Sequence, residues 1–144
     1  YVVAFVGSVG VAGRIGWGRL SERSLGAMRS LRIISVLSAV SALLLVAAES
    51  APWLVWVAAF TTGLSASSWN AVGMLAIIQA VPTRRAGRGS GIVLAGFLLG
   101  LGLGAPAFGY SVDRLGTYLP GWSAIAVVFL SALLVTREPV DVVV

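Results

Sequence analysis

The sequence predicts an all-α integral membrane protein with five transmembrane helices, and three observations predict it. The 144 residues are 58% hydrophobic and only 10% charged, with a mean hydropathy of +0.99, whereas soluble domains carry about 25% charged residues. Five apolar runs occur, over residues 1–17, 31–48, 52–78, 90–110 and 118–136. Each is near the roughly 20 residues an α-helix needs to cross about 30 Å of hydrocarbon. The short alternating segments of a membrane barrel are absent. Helices are therefore the expected way to satisfy the backbone in lipid.

The first run is a turn shorter than the others, and the chain opens YVVAFVGSVG with no initiator Met and no basic leader. The expectation is a chain cut inside a hydrophobic segment, not a signal peptide. The connector over 18–30 and its flanks carry Arg14, Arg19, Arg23, Arg29 and Arg32. Arg14 lies about one turn inside the boundary and is expected to snorkel back to the interface, with an anion-attracting position in a cavity as the alternative. The second run, 31–48, is bland apart from scattered serines, and only Glu49 follows it.

The third run begins at Pro52, a residue at home near a helix start. Its stretch GLSASSWNAVG, residues 63–73, is the polar exception in an apolar segment. At about 100° per residue, Val57, Phe60, Leu64, Ala71, Leu75 and Ile78 form one narrow greasy stripe. Thr61, Ser65, Ser68, Trp69 and Val72 form a second sector, and Gly63, Ala66, Ser67 and Asn70 a third. Two readings are open. The Thr61, Ser65, Ser68, Trp69 side, with Asn70, lines a solute pathway near mid-membrane. Alternatively, the serines bond to neighbouring helices while Trp69 fills a gap. The serines alone fit the second reading, whereas Trp69 and Asn70 fit the first, because an intramembrane Asn is costly without a purpose.

The connector over 79–89 carries Arg84, Arg85 and Arg88, and Thr83 after Pro82 suits a helix N-cap. In the fourth run Gly96, Gly100 and Gly104 recur every fourth residue, the spacing of close helix packing, and glycines on other faces imply neighbours on two sides. Asp113 and Arg114 sit in the next connector, the fifth run is bland, and Arg137 follows it. Five spans put the connectors 18–30 and 79–89 and the C-terminus on one face, which then holds nine of the ten arginines. The positive-inside rule makes that face cytoplasmic. Trp17, Trp53, Trp56, Tyr110, Tyr118 and Trp122 fall near the expected interfaces, and Trp69 does not.

Chemistry is scarce. There is no Cys and no His, and none of the five acidic residues lies deep in an apolar run. Thiol and imidazole catalysis and the usual metal sets are excluded, so no enzyme activity, cofactor or metal is expected. GRGSG, residues 87–91, lacks the Lys and Ser/Thr of a phosphate loop. Gly7, Gly10 and Gly13 lack the dinucleotide-fingerprint spacing, and no Gly-x-Ser-x-Gly elbow exists. The net charge of +5 follows membrane topology, so no nucleic-acid partner is expected. Because every basic residue is Arg, a GC-rich, bacterial source is expected.

The loops carry a resemblance. GRIGWGRLSERSLG, residues 13–26, resembles the signature loop Gly-x-Leu-Ala-Asp-Arg-x-Gly-Arg of the major facilitator superfamily. Gly18, Leu20, Glu22 and Arg23 match, with Glu for the usual Asp. Gly26 comes one residue late and the basic pair is reduced to Arg29. This is the degenerate form of the second copy of the loop, between helices eight and nine. VPTRRAGRGSG, residues 81–91, resembles the loop before helix eleven, and FGYSVDRLGTYLPGW, residues 108–122, the outer loop before helix twelve.

The resemblance implies helices eight to twelve of a twelve-helix transporter in the cytoplasmic membrane, a partial C-terminal six-helix bundle whose partner is the N-terminal half of the same polypeptide. It places helix ten on the cavity, helices eight and eleven beside it, and nine and twelve towards lipid. Gly18, Glu22 and Arg23 would then form an inner gate or latch; the alternative is that these charges only set topology. The residues around Trp69 and Asn70 look like a permease branch associated with small anions such as cyanate. Two functions remain in competition. One is a secondary transporter moving a small solute by alternating access, and the other is a five-helix structural or assembly subunit without transport activity.

Overall fold

The computed structural model describes residues 1–80, 82, 84 and 86–136. Arg85, Arg137 and the expected N-cap Thr83 lie outside the described residues. The described residues form an all-helical chain: α1 (Val2–Leu20), a π-helical turn (Ser21–Leu25), α2 (Ala27–Ala47), α3 (Leu54–Leu64), α4 (Trp69–Ala80), α5 (Ala86–Leu115) and α6 (Leu119–Val135).

Much of the first connector, expected as a loop, is helical. α1 continues to Leu20 and passes into the π turn, which Gly26 ends at φ 74° before α2 begins. That backbone conformation strains any residue with a Cβ, which is why the shifted glycine stands there. Gly116, at φ 67°, does the same between α5 and α6. Among the described residues two helices, α2 and α5, are long and apolar enough to cross a membrane, while α6 is a shorter apolar helix of 17 residues.

The main departure is in the third run. The sequence predicts one continuous helix over 52–78, but the structure divides it into α3 and α4, separated by residues 65–68. The break falls on the serine-rich stretch itself.

α2 organises the packing. It lies against α6, α3 and α4, while α1 lies against α3 and α4. The side of α2 that faces these neighbours is a seam of small residues, Ala27, Ser30, Ser35, Ser38, Ala39, Ser41 and Ala42, with Ile34. Its serines are thus structural, not incidental. Ser41 Oγ donates to Ala58 O at 3.0 Å and is bonded to the Thr62 hydroxyl. Met28, Ile33, Val36, Val40 and Leu43 remain exposed on its other side.

Two polar ties fix which connections share an end. Arg32 Nε donates to Thr136 O at 2.6 Å, joining the start of α2 to the end of α6. At the opposite end, Thr117 Oγ1 donates to Glu49 Oε1 at 2.9 Å. α5 stands apart, since none of its described residues is buried. Leu98, Leu99 and Leu101 point in three different directions around its axis and all are exposed.

Candidate functional site

The candidate site is the break between α3 and α4, together with the face of α1 that crosses it. Local sequence explains why the helix stops. Gly63 and three serines within four residues are weak helix formers, and serine side chains compete for backbone carbonyls. Ser65 Oγ donates to Thr61 O at 2.6 Å, and Ser68 Oγ to Gly63 O at 3.0 Å. The backbone changes pitch accordingly. Ser67 N reaches five residues back to Thr62 O, then Ser68 N only three back to Ser65 O. Ser65 itself leaves helical geometry at φ −111°, ψ −83°.

A broken helix exposes carbonyls that need donors. α1 supplies them. Gly10, Gly13, Arg14 and Trp17 follow the i, i+3, i+4, i+7 spacing of a single helix face. The glycines allow contact: a Cβ at Gly10 would lie 3.1 Å from Ser67 Cβ, and one at Gly13 would overlap Ser68 Oγ. Gly63 is as tight from the other side, with a Cβ there 2.7 Å from Val9 Cβ. One turn further along, Trp17 Nε1 donates to Leu64 O at 2.6 Å, and Arg14 Nε donates to Ser67 O at 3.0 Å. Arg14 is therefore directed at the break and not, as expected, back to the interface. The small residues Gly10 and Gly13, at i and i+3, are the sequence signal of this face, which is not among the expected sites.

The expected pathway residues separate into two groups. Ser65 and Ser68 are fully buried and bonded to backbone, and half-buried Thr61 donates to Val57 O and Ala58 O of its own helix. Trp69 and Asn70 begin α4. The half-buried Trp69 ring lies against the small core of Ala27, Ile34 and Val72, close over Gly73, and 5.4 Å from the Phe97 ring of α5. Asn70 is exposed.

The other expected sites lie elsewhere. Gly18 has open space beside it, and Glu22 and Arg23 are exposed on the π turn, where neither makes an ion pair among the described residues. Apart from their own stretch of helix backbone, nothing among the described residues lies within 4 Å of the place a Cβ would take at Gly96, Gly100 or Gly104. Gly100 and Gly104 line an apolar groove of about 670 Å³ between α5 and α6, with Phe108, Gly121 and Ile125.

The family profile that matches residues 1–142 is that of the Major Facilitator Superfamily. The chain belongs to this superfamily. No curated protein and no solved structure shows significant similarity to it. Members of the superfamily are multi-pass membrane proteins that carry small-molecule solutes, and they are transporters, not enzymes. Membership gives this facilitator chain a transporter-type function in general terms.

Proposed function

We propose that the chain contributes five membrane-spanning elements, helices eight to twelve, to a twelve-helix secondary transporter of the cytoplasmic membrane that works by alternating access. The α3–α4 element is then helix ten, and the solute passes beside its break. The observation that carries this reading is the break itself. Irregular backbone at membrane depth is tolerated where it is covered by protein or lines an aqueous cavity, and substrate sites of transporters are commonly built from such discontinuous helices.

Within the site, Trp69 offers a flat apolar face and Asn70 an amide with both donors and acceptors. Thr61, Ser65 and Ser68 act mainly by shaping the break, since their hydroxyls are engaged with backbone. The resemblance to small-anion permeases, together with the Arg14 cation beside the break, favours a small anionic solute. The connectors over 18–30 and 79–89 and the C-terminus face the cytoplasm, where Gly18, Glu22 and Arg23 serve the inner gate. Gly96, Gly100 and Gly104 on the uncovered α5 receive closely packed helices of the remaining bundle, a role suited to residues without side chains.

The test is uptake of a panel of small anions and neutral solutes by cells expressing the intact gene product. Trp69→Ala and Asn70→Ala are each expected to lower uptake of the transported solute, per molecule of protein in the membrane, by about tenfold or more, the loss of roughly 1.4 kcal/mol of binding. Full uptake by both variants would overturn the pathway reading.

A further inference from the structure

We infer that Arg14 and Trp17 are positioning residues that clamp the broken α3–α4 helix, so that α1 sets the angle between its two halves. Three observations converge. The break is spanned from outside its own helix: Trp17 holds the carbonyl of Leu64, the last residue of α3, and Arg14 holds the carbonyl of Ser67, two residues before α4. The two donors therefore grip opposite sides of the interruption.

The contact is also built for closeness. Gly10, Gly13 and Gly63 bring the backbones together, and each lacks the space for a Cβ without displacing a neighbour. The charge is suitable as well: the Ser67 carbonyl lies in the interruption, outside the regular turns of α3 and α4, and the guanidinium gives it a charge-assisted hydrogen bond. The Trp17 bond is part-buried, and the Arg14 bond, though exposed, is charge-assisted.

The clamp bears on function in a specific way. Carbonyls freed at a helix break are a common seat for a coupling cation in transporters. Here those of Gly63, Leu64 and Ser67 already hold the Ser68 hydroxyl, the Trp17 indole N–H and the Arg14 guanidinium. The fixed positive charge is thus supplied by the protein. α1 and the broken helix accordingly move as one unit, and a change in the α3–α4 angle requires release of these two donors. The consequence for transport rests on the proposed function, whereas the clamp itself does not.

Residues 1–144 hold no cysteine, so Ala66→Cys, made in the intact protein with any cysteine outside these residues replaced by serine, places a single thiol in the break. Its rate of reaction with a small maleimide, measured in membranes without substrate, reports opening. Trp17→Phe keeps the ring and removes only the N–H donor, and Arg14→Met removes the cation at similar length. Each is expected to raise the labelling rate by about fivefold to tenfold, as the loss of one hydrogen bond implies. Arg14→Lys, which keeps a donor and the charge, is expected to return it to within about threefold of the parent. Unchanged labelling in both Trp17→Phe and Arg14→Met, or an Arg14→Lys rate equal to that of Arg14→Met, would overturn the clamp. Because labelling needs no solute, its outcome is independent of whether Trp69 and Asn70 line a pathway.

Discussion

Individual glycines in this chain have different meanings that spacing does not distinguish. Gly63 sits where a Cβ would lie 2.7 Å from Val9 Cβ and 2.9 Å from the Val6 carbonyl, so its neighbours include backbone that cannot swing away. Gly63→Ala is expected to destabilise the protein by about 1–3 kcal/mol, the usual cost of overpacking. Gly7, on the same helix as Val6 and Val9, has open space for at least 4 Å around the place a methyl would take. Gly7→Ala should therefore be neutral or stabilising by up to about 1 kcal/mol through helix propensity. Thermal unfolding of both variants in detergent checks the contrast, and equal melting temperatures would count against the close crossing of α1 and α3. The sequence signal for this crossing was present in the i, i+3 pair Gly10 and Gly13, but its partner lies some 50 residues away, and no local pattern reveals it.

The helical elements were largely legible, because long apolar runs with few charges have one good solution in lipid. The interruption of the third run was legible only in part. Its serines were visible, yet a helical wheel assumes an unbroken helix and so treats every polar residue as a member of a face. Ser65 and Ser68 instead spend their hydroxyls on carbonyls of their own segment, and the helix ends. α2 illustrates the opposite error: its serines read as scattered, but they occupy the seam against α3 and α6. At the ends of the elements, burial separates two polar ties. Arg32 is half-buried and secures the C-terminus of α6 through Thr136 O, so Arg32→Ala should cost about 1–2 kcal/mol. Thr117 and Glu49 meet in an exposed setting, and Thr117→Val should cost clearly less. Limited proteolysis at the end of α6 reads the first loss; an Arg32→Ala variant as resistant as the parent would mean that the tie contributes nothing.

For the whole molecule, two features bear on its setting in a membrane. α5 has no buried residue and exposes leucines around its circumference, which suits a helix flanked by lipid and by further helices. The exposed Arg19, Arg23 and Arg88 lie towards the end marked by the Arg32–Thr136 tie, while Glu49 and Thr117 mark the other. The positive-inside rule then sets the orientation. Ser24→Cys should react with a membrane-impermeant maleimide only after cells are permeabilised, whereas Ser50→Cys should react in intact cells. The reverse pattern would invert the topology proposed above.

The proposed pathway and the clamp both depend on the discontinuity in the third apolar run of this facilitator chain. Carbon chemical shifts of residues 54–80, measured by solid-state NMR on the protein in bilayers, test it most directly. The account predicts helical shifts through α3 and through α4, with Ser65 displaced from the helical range. Helical shifts continuing without interruption from Leu64 to Trp69 would contradict it.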